Sequence, residues 1–256
     1  QPMERMSLKV LNNLPNSNSG LEDINVTEKL LDKIGMGRFH YLTYSIIGFA
    51  WLTDGAELIA MSLMNYIIVH VVWFRSLDDV GLLGSLVFAG FFLGSLVAGQ
   101  ISDRYGRRRP FLIYMAGLLV TGVLSAFSPT SEFLLVTRTI NGFIIGLISP
   151  TSASMVTEIT PRAQRGVNFI LVSALFTVGE LIAVCIGAIL DVENKNSNTW
   201  RALLLWATFP ALFSLVAGYK YLEESPRVAL QQSADEAVKI LKKNVQRESH
   251  ERTPYL

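Results

Sequence analysis

Residues 99–109 read Gly-Gln-Ile-Ser-Asp-Arg-Tyr-Gly-Arg-Arg-Arg and separate two long apolar runs. Four arginines within six positions cannot enter hydrocarbon, so this turn is expected to lie at a membrane surface. Gly99 and Gly106 permit a tight connection, because glycine tolerates positive φ and close backbone approach. Asp103 is the only anion in the turn. Because four arginines are close to Asp103 in the sequence, we expect its carboxylate to form an ion pair or to dock on a helix end rather than to act only as a helix cap.

The composition indicates a chain whose solvent is largely lipid. Its mean hydropathy is +0.38, half of its residues are apolar, and only 17% are charged. The net charge of +1 gives no reason to expect a nucleic-acid partner. The three histidines lie in different segments, and the single cysteine, Cys185, lies in an apolar run. The sequence therefore predicts no enzyme, no metal site, no cofactor and no internal disulfide.

Six apolar runs are near or above the 18–20 residues or so that a membrane-crossing helix needs: 41–73, 80–101, 110–128, 133–157, 167–190 and 201–221. The sequence predicts an all-α polytopic helix bundle in three parts. Residues 1–38 form a partly disordered cytoplasmic segment, and residues 39–222 form the six-helix transmembrane domain. Residues 223–256 form a cytoplasmic tail, in which a capping box at Ser233 opens an amphipathic helix.

The distribution of lysine and arginine predicts the orientation. The N-terminal segment, the arginine-rich turn, the 157–166 loop and the C-terminal segment carry most of the basic residues. The opposite side carries only Arg75, Lys195 and Arg201. Both termini are therefore expected in the cytoplasm, and an even number of spans agrees. The sequence does not distinguish the plasma membrane from a vesicle membrane.

Ionisable residues inside the predicted spans are candidates for function, because each costs about 2.5–3.5 kcal/mol near a helix centre. Asp54 and Glu57 share one face of the first span, since they are three residues apart. Arg138 lies in the fourth span with Asn141 one turn later, and Glu180 lies in the fifth. Arg138 is a plausible partner for any of the three acids. The uneven distribution predicts a polar interior shared by spans 1, 4 and 5, with spans 3 and 6 facing lipid or packing partners.

The arginine-rich turn matches the major facilitator superfamily signature Gly-x-x-x-Asp-Arg-x-Gly-Arg-Arg at every defined position and in the expected place, between spans 2 and 3. Residues 158–166 resemble the sugar-porter pattern Glu-x-x-Pro-x-x-x-Arg-Gly. Residues 224–227 resemble the Glu-Ser-Pro-Arg that follows the sixth span in that group. Residues 35–39 and 54–57 look most similar to synaptic-vesicle-protein-two-related transporters and their organic-ion relatives. Glycines at four-residue spacing in spans 2 and 4 are typical of close helix packing.

The resemblance implies one half of a twelve-helix fold, built from two inverted three-helix repeats in which helices 1, 2, 4 and 5 line a cavity. By analogy, Asp103 would dock on a helix end in the other half. A cytoplasmic ion-pair cluster would close the outward-open state. The residues implied in this gating are Gly99, Asp103, Arg104, Gly106, Arg107, Arg108, Glu158, Arg165, Glu224 and Arg227.

These observations predict a secondary transporter that moves a small organic solute by alternating access, with protons as a candidate coupling ion. Asp54, Glu57, Arg138, Asn141 and Glu180 are the candidate solute- or proton-binding residues. One alternative is a membrane protein that uses the fold as a scaffold for vesicle or partner binding. Another is an inactive half-length fragment. The expected partners are the lipid bilayer, a small-molecule solute, and a missing second half or a homodimer partner.

Overall fold

The computed structural model of the chain describes residues 36–71, 77–190 and 199–224. Within these ranges the secondary structure is entirely helical, as the hydropathy pattern predicts. Predictions for residues 1–35 and 225–256, including the tail helix and Arg227, lie outside the described residues. The six long helices are α1 (Arg38–Val71), α2 (Leu77–Tyr105), α3 (Arg108–Ala126), α4 (Ser131–Ile159), α5 (Arg165–Ile189) and α6 (Thr199–Tyr221), with a short 3₁₀ turn at Arg162–Gln164.

All six helices are long and apolar enough to cross a membrane, so the predicted fold class is confirmed. Most helix ends lie within a few residues of the predicted apolar runs. The largest difference is at the end of α2, which continues to Tyr105 although its apolar run ends at residue 101. The helix can continue because its last turn leaves the hydrocarbon, where charged side chains are solvated. The chain then reverses at Gly106, whose φ of 85° is in the region that favours glycine.

The packing of the helices reveals two related triplets, α1–α3 and α4–α6. Helix α1 packs against α5 and α6, helix α4 packs against α2 and α3, and α3 packs against α6. Each pair has a counterpart when α1, α2 and α3 are exchanged with α4, α5 and α6. The α1–α5 pair then corresponds to α2–α4, the α1–α6 pair corresponds to α3–α4, and the α3–α6 pair corresponds to itself. The contact pattern is therefore that of two three-helix repeats related by a pseudo-two-fold axis.

Glycines allow the related pairs α2–α4 and α1–α5 to approach at backbone distance. A Cβ added to Gly94 on α2 would collide with a backbone carbonyl of α4, and one added to Gly142 on α4 would collide with a carbonyl of α2. In the same way, a Cβ added to Gly55 on α1 would collide with a backbone carbonyl of α5, and one added to Gly179 on α5 would collide with a carbonyl of α1. Small residues let helices approach closely in a membrane, where packing rather than water exclusion drives association.

Helix α3 is held at both ends by residues that flank α6. Arg201, at the start of α6, donates to the carbonyl oxygens of Ala126 and Ser128, both at 3.1 Å. The last carbonyls of a helix lack intrahelical donors, so the guanidinium satisfies groups that need partners. At the other end, the Glu224 carboxylate accepts bonds from the first backbone N–H groups near Arg107. Helices α3 and α6 are therefore linked at both ends of α3.

Helix α1 is the central helix of the bundle. In its most apolar stretch 67% of the residues are buried, whereas the corresponding values for α2 and α5 are 22% and 17%. Helices α2 and α5 thus expose broad apolar surfaces within the described part of the chain. Together with α1 and α4 they enclose the cavity at which the candidate site lies.

Candidate functional site

A cavity of about 370 Å³ lies between α1, α2, α4 and α5. These are the four helices that the family resemblance implied. The walls are mainly apolar and include four aromatic side chains, Trp51, Phe88, Phe91 and Phe176. The polar lining residues are Asp54, Glu57, Arg138, Asn141 and Ser149.

Glu57 is the centre of a buried polar network that borders the cavity. Its Oε2 accepts a bond from Arg138 Nη1 at 2.6 Å and from Asn141 Nδ2 at 3.2 Å. Its Oε1 lies 2.6 Å from the Thr208 hydroxyl. The side chains of Arg138 and Glu57 are only 2% and 1% exposed. A buried ion pair is tolerated only when its remaining polar atoms find partners, and Glu57 meets this condition with three donors.

Arg138, by contrast, has N–H groups that its contact with Glu57 does not use. Its Nη1 binds Glu57, but its Nε and Nη2 have no hydrogen-bond partner among the described residues. Guanidinium carries five N–H donors in a rigid fork. Arg138 can therefore accept a second anionic or carbonyl-bearing group without leaving its present position on α4.

Helices α3 and α6 reach the network with threonine hydroxyls. Thr121 on α3 donates to Asn141 Oδ1 at 3.0 Å, which turns the amide nitrogen of Asn141 toward Glu57. Thr208 on α6 contacts Glu57 directly. The prediction that these two spans face lipid or packing partners considered charged residues alone, and the structure adds that each span also reaches the polar network with a hydroxyl. Uncharged hydroxyls in the middle of an apolar span would have been the signal.

Asp54 lies one turn before Glu57 on the same face of α1, and 7% of it is exposed. It lines the cavity, and in the described part of the chain its Oδ1 has no hydrogen-bond partner. Of the two acids on α1, the structure thus pairs Glu57 with the arginine and leaves an Asp54 oxygen unsatisfied. No cluster of three or more potential metal ligands occurs within the described residues.

Glu180 lies apart from this network. It is half-buried on α5, where its backbone nitrogen is close to Gly55, but its side chain does not line the cavity. The structure brings together Asp54, Glu57, Arg138 and Asn141 and leaves Glu180 outside. Its part in a binding site stays a prediction.

At the opposite end of α3 from Arg201, the arginine-rich turn is anchored by Glu224. The carboxylate accepts backbone N–H bonds from Arg107 at 2.6 Å and from Arg108 at 3.1 Å. The first N–H groups of a helix are unpaired and carry partial positive charge, so this is a favourable place for an anion. A Cβ on Gly106 would approach a Glu224 oxygen to 2.6 Å. Gly106 therefore provides both the positive φ and the space for the carboxylate.

Arg107 links the ends of three helices. Its guanidinium forms ion pairs with Asp103 at 2.8 Å and with Glu158, at the end of α4, at 3.1 Å. Asp103 is 69% exposed at its side chain, whereas Glu158 is 8% exposed. The exposed pair contributes little to stability because solvent screens it, so the Glu158 contact is the stronger connection. The predicted docking of Asp103 on another half stays a prediction.

The remaining residues of the expected gating cluster lie at its edges. Arg104 is exposed and lies over the Tyr105 ring, 5.6 Å from its centroid. Within the described residues it forms no ion pair with the cluster. Arg108 donates to the Tyr219 carbonyl oxygen at 3.0 Å, and Arg165 donates to the Thr160 carbonyl oxygen at 3.4 Å. A Cβ on Gly99 would meet no atom of residues 36–71, 77–190 or 199–224 within 4 Å.

The chain is an integral multi-pass membrane protein with the architecture of half a twelve-helix carrier. It has six membrane-crossing helices in two related triplets, and a buried ion pair lies beside the cavity between the triplets. The chain belongs to the sugar (and other) transporter family, whose profile matches residues 35–255. The resemblance to the major facilitator superfamily is therefore confirmed.

Several known proteins are similar to this chain. It is 32% identical over 223 residues to the synaptic vesicle 2-related protein of Rattus norvegicus, a match that covers 87% of this chain and 39% of the relative. It is 32% identical over 217 residues to the organic cation/carnitine transporter 7 of Arabidopsis thaliana, covering 84% of this chain and 42% of the relative. The chain thus spans about two fifths of the length of these relatives.

The fold also resembles solved structures. The xylose transporter XylE from E. coli, in a partially occluded inward-open conformation, superposes with a TM-score of 0.74 at 20% identity. The match covers 82% of this chain and 54% of XylE. At this level of identity the likeness concerns the fold alone.

Proposed function

We propose that this chain is the N-terminal six-helix half of a secondary active transporter that moves a small organic solute by alternating access. The observation that supports this best is the placement of a buried Glu57–Arg138 pair and an unsatisfied Asp54 oxygen at one cavity between the two helix triplets. Buried ionisable groups in a membrane are costly, and they mark solute or ion paths in membrane proteins. A packing device would not need the additional acid.

The proposed roles follow from the contacts. Asp54 and Glu57 bind the coupled proton or a cationic group of the solute, because they are the two acids at the cavity. Arg138 balances their charge, and its unused Nε and Nη2 donors suit an anionic or carbonyl group of the solute. Asn141 orients Glu57. Glu180 is proposed to contribute from α5 in another conformation of the bundle.

The solute is proposed to be small and partly apolar. The cavity volume lies within the range of about 300–1,000 Å³ typical of small-molecule sites, and aromatic side chains form much of its wall. One similar protein agrees by name with a small organic solute: it is an organic cation/carnitine transporter. Proton coupling is proposed on the two acids that line the cavity.

We further propose that both termini are cytoplasmic and that a second six-helix unit, either a C-terminal half or a second copy, completes the cavity. Basic residues concentrate at the end of the bundle that carries the arginine-rich turn, as a cytoplasmic surface requires. Helix α2 exposes Phe88 and Phe91 where they line the cavity, and another unit is proposed to pack there. The Asp103–Arg107–Glu158 cluster and the Glu224 anchor are proposed to hold the cytoplasmic side closed, with Gly99, Arg104, Arg108, Arg165 and Arg227 contributing.

The test is uptake into proteoliposomes by the complete protein that contains this chain, with carnitine, xylose and tetraethylammonium as probe solutes. Wild-type protein is expected to accumulate at least one probe, and Asp54→Asn and Glu57→Gln are expected to abolish that uptake. Glu132→Gln, which neutralises an exposed acid outside the cavity, is the matched control and should transport normally. Undiminished uptake by the Asp54 and Glu57 variants would refute the assigned site. No flux of any solute would favour the scaffold function.

A further inference from the structure

We propose that the first turn of α3 and the last turn of α6 together bind the headgroup of an anionic phospholipid. The inference goes beyond the proposed function, because it concerns the outer surface of the bundle and does not depend on transport. It is carried by three basic side chains that have no ion-pair partner and by the exposed apolar surface of the same two helices. We call this place the α3–α6 corner.

Three basic residues meet at the α3–α6 corner. Arg108 lies across the end of α6, because its Nη2 donates to the Tyr219 carbonyl oxygen at 3.0 Å. Arg109 follows it on α3 and is exposed, and Lys220 is exposed in the last turn of α6. None of these three side chains forms an ion pair with another described residue. The corner therefore presents positive charge that the described chain does not neutralise.

The acid that contacts this corner is already used. Glu224 accepts backbone N–H bonds from Arg107 and Arg108, so its carboxylate is held at the start of α3. No aspartate or glutamate lies in the first turn of α3. The start of a helix carries partial positive charge, which disfavours further cations there. Arg109 is thus in a position where an anion from outside the described chain would be favourable.

Both exposed basic residues lie one turn from an exposed apolar residue on the same helix face. Ile113 follows Arg109 by four residues on α3 and is 68% exposed, and Val216 precedes Lys220 by four residues on α6 and is 61% exposed. Within the described residues, neither α3 nor α6 contributes to the wall of the cavity. This face of the bundle is therefore the one that contacts acyl chains, with the basic residues at its edge.

Tyrosines indicate that the α3–α6 corner lies at the depth of the lipid headgroups. Tyr219 is 75% exposed, and Lys220 Nζ lies 5.2 Å from the centroid of the Tyr221 ring. Tyrosine is enriched at the membrane–water interface, where its ring is in the apolar region and its hydroxyl is in water. A lipid whose headgroup lies beside Lys220 can thus extend its chains along Val216 and Ile113.

The charge of the corner selects the class of lipid. Guanidinium groups bind phosphate oxygens through charge-assisted hydrogen bonds, and Arg108 Nε has no partner among the described residues. A zwitterionic headgroup brings its own cation, which the basic residues repel, whereas phosphatidylglycerol or phosphatidylserine brings a net negative charge. The orientation proposed above places the corner in the cytoplasmic leaflet, where anionic lipids are concentrated.

The test is native mass spectrometry of the purified chain in detergent, titrated with dioleoylphosphatidylglycerol or dioleoylphosphatidylcholine. We expect the first phosphatidylglycerol to bind with the lower Kd. Arg109→Gln and Lys220→Gln should each raise that Kd about five-fold, and the double variant should bind both lipids equally. The Kd for phosphatidylcholine should change little.

Two controls separate a site from general attraction to a basic surface. Arg104→Gln removes an exposed arginine that lies beside Tyr105 at the same end of the bundle, but on α2. It should keep the wild-type preference for phosphatidylglycerol. Arg109→Lys retains the charge and should also keep most of that preference. Thermal unfolding midpoints check that each variant is folded.

Equal Kd values for the two lipids in the wild-type chain would overturn the proposal. A preference that survives in the folded Arg109→Gln/Lys220→Gln variant would show that other residues bind the lipid and would overturn it as well. The same would follow if Arg104→Gln lost the preference to the same extent, because the attraction would then belong to the whole basic surface. These outcomes are independent of solute uptake, so they leave the proposed function untouched.

Discussion

The Glu57–Arg138 pair predicts a strongly non-additive double-mutant cycle. Arg138→Met keeps an apolar side chain of similar length but leaves Glu57 buried with only the Asn141 and Thr208 donors. Removing one member of a buried ion pair costs about 3–5 kcal/mol, because the other charge remains uncompensated. Both side chains are at most 2% exposed and the atoms are 2.6 Å apart, so the full penalty is expected. The double variant Glu57→Gln/Arg138→Met removes both charges and should recover most of the lost stability.

The assay is unfolding of the purified chain in mixed micelles with increasing SDS, followed by tryptophan fluorescence. The coupling free energy of the cycle should exceed about 2 kcal/mol, toward the upper part of the range for residues in direct contact. Arg138→Lys serves as the control: it retains the charge without the planar fork and should lose less stability than Arg138→Met. Additive effects of the two single substitutions would refute the pairing and show that each charge is stabilised separately.

Three further predictions concern helix packing and helix ends. Gly142→Ala should destabilise the bundle, because the added Cβ would push α2 away from α4. Gly81→Ala is the control: a Cβ there meets nothing within 4 Å among the described residues, so the SDS unfolding midpoint should stay unchanged. Equal midpoints for the two variants would contradict the close approach of α2 and α4. Glu224→Gln should weaken the start of α3 by about 1 kcal/mol and increase hydrogen exchange of its first turn, and unchanged exchange would show that the anchor is unimportant. Arg201→Met should cost about 1–3 kcal/mol in the same unfolding assay, because it leaves two carbonyl oxygens at the end of α3 without donors. Arg201→Lys should recover part of this loss. An Arg201→Met variant as stable as the wild type would contradict the capping role of Arg201.

The helices and their order could be predicted from the sequence because membrane-crossing segments have a minimum apolar length. The arginine-rich turn could be placed for the same reason, since its charges must leave the hydrocarbon. The partner of Arg138 could not be predicted. Depth along the helix axis allowed Asp54, Glu57 and Glu180 alike, and the choice depends on how each helix is rotated. Helices that are apolar on nearly all sides give no periodic signal for that rotation.

Two other features depended on geometry that sequence patterns do not contain. Thr121 and Thr208 could not be singled out because hydroxyl side chains are common in these spans, and each of the two hydroxyls also lies within hydrogen-bond distance of a backbone oxygen of its own helix. Glu224 was expected in an ion-pair cluster with arginine side chains, and the structure adds that it binds backbone N–H groups at the start of α3. This position is available because Gly106 lacks a side chain. Which residue caps the start of a helix therefore depends on the room available beside the first N–H groups as well as on the charge of the residue.

The central claim is that the buried acids and arginine border a watery path through the membrane, and thiol labelling tests it directly. In a Cys185→Ser background, which removes the exposed native thiol, single cysteines are introduced at Ser149 on the cavity wall and at Ile113, which is 68% exposed on α3. A charged, membrane-impermeant maleimide is then applied to the protein in lipid vesicles. The account predicts that Ser149→Cys reacts and that Ile113→Cys, facing acyl chains, stays unlabelled. A Ser149→Cys variant as unreactive as Ile113→Cys, with the reagent present on both sides of the membrane, would contradict it.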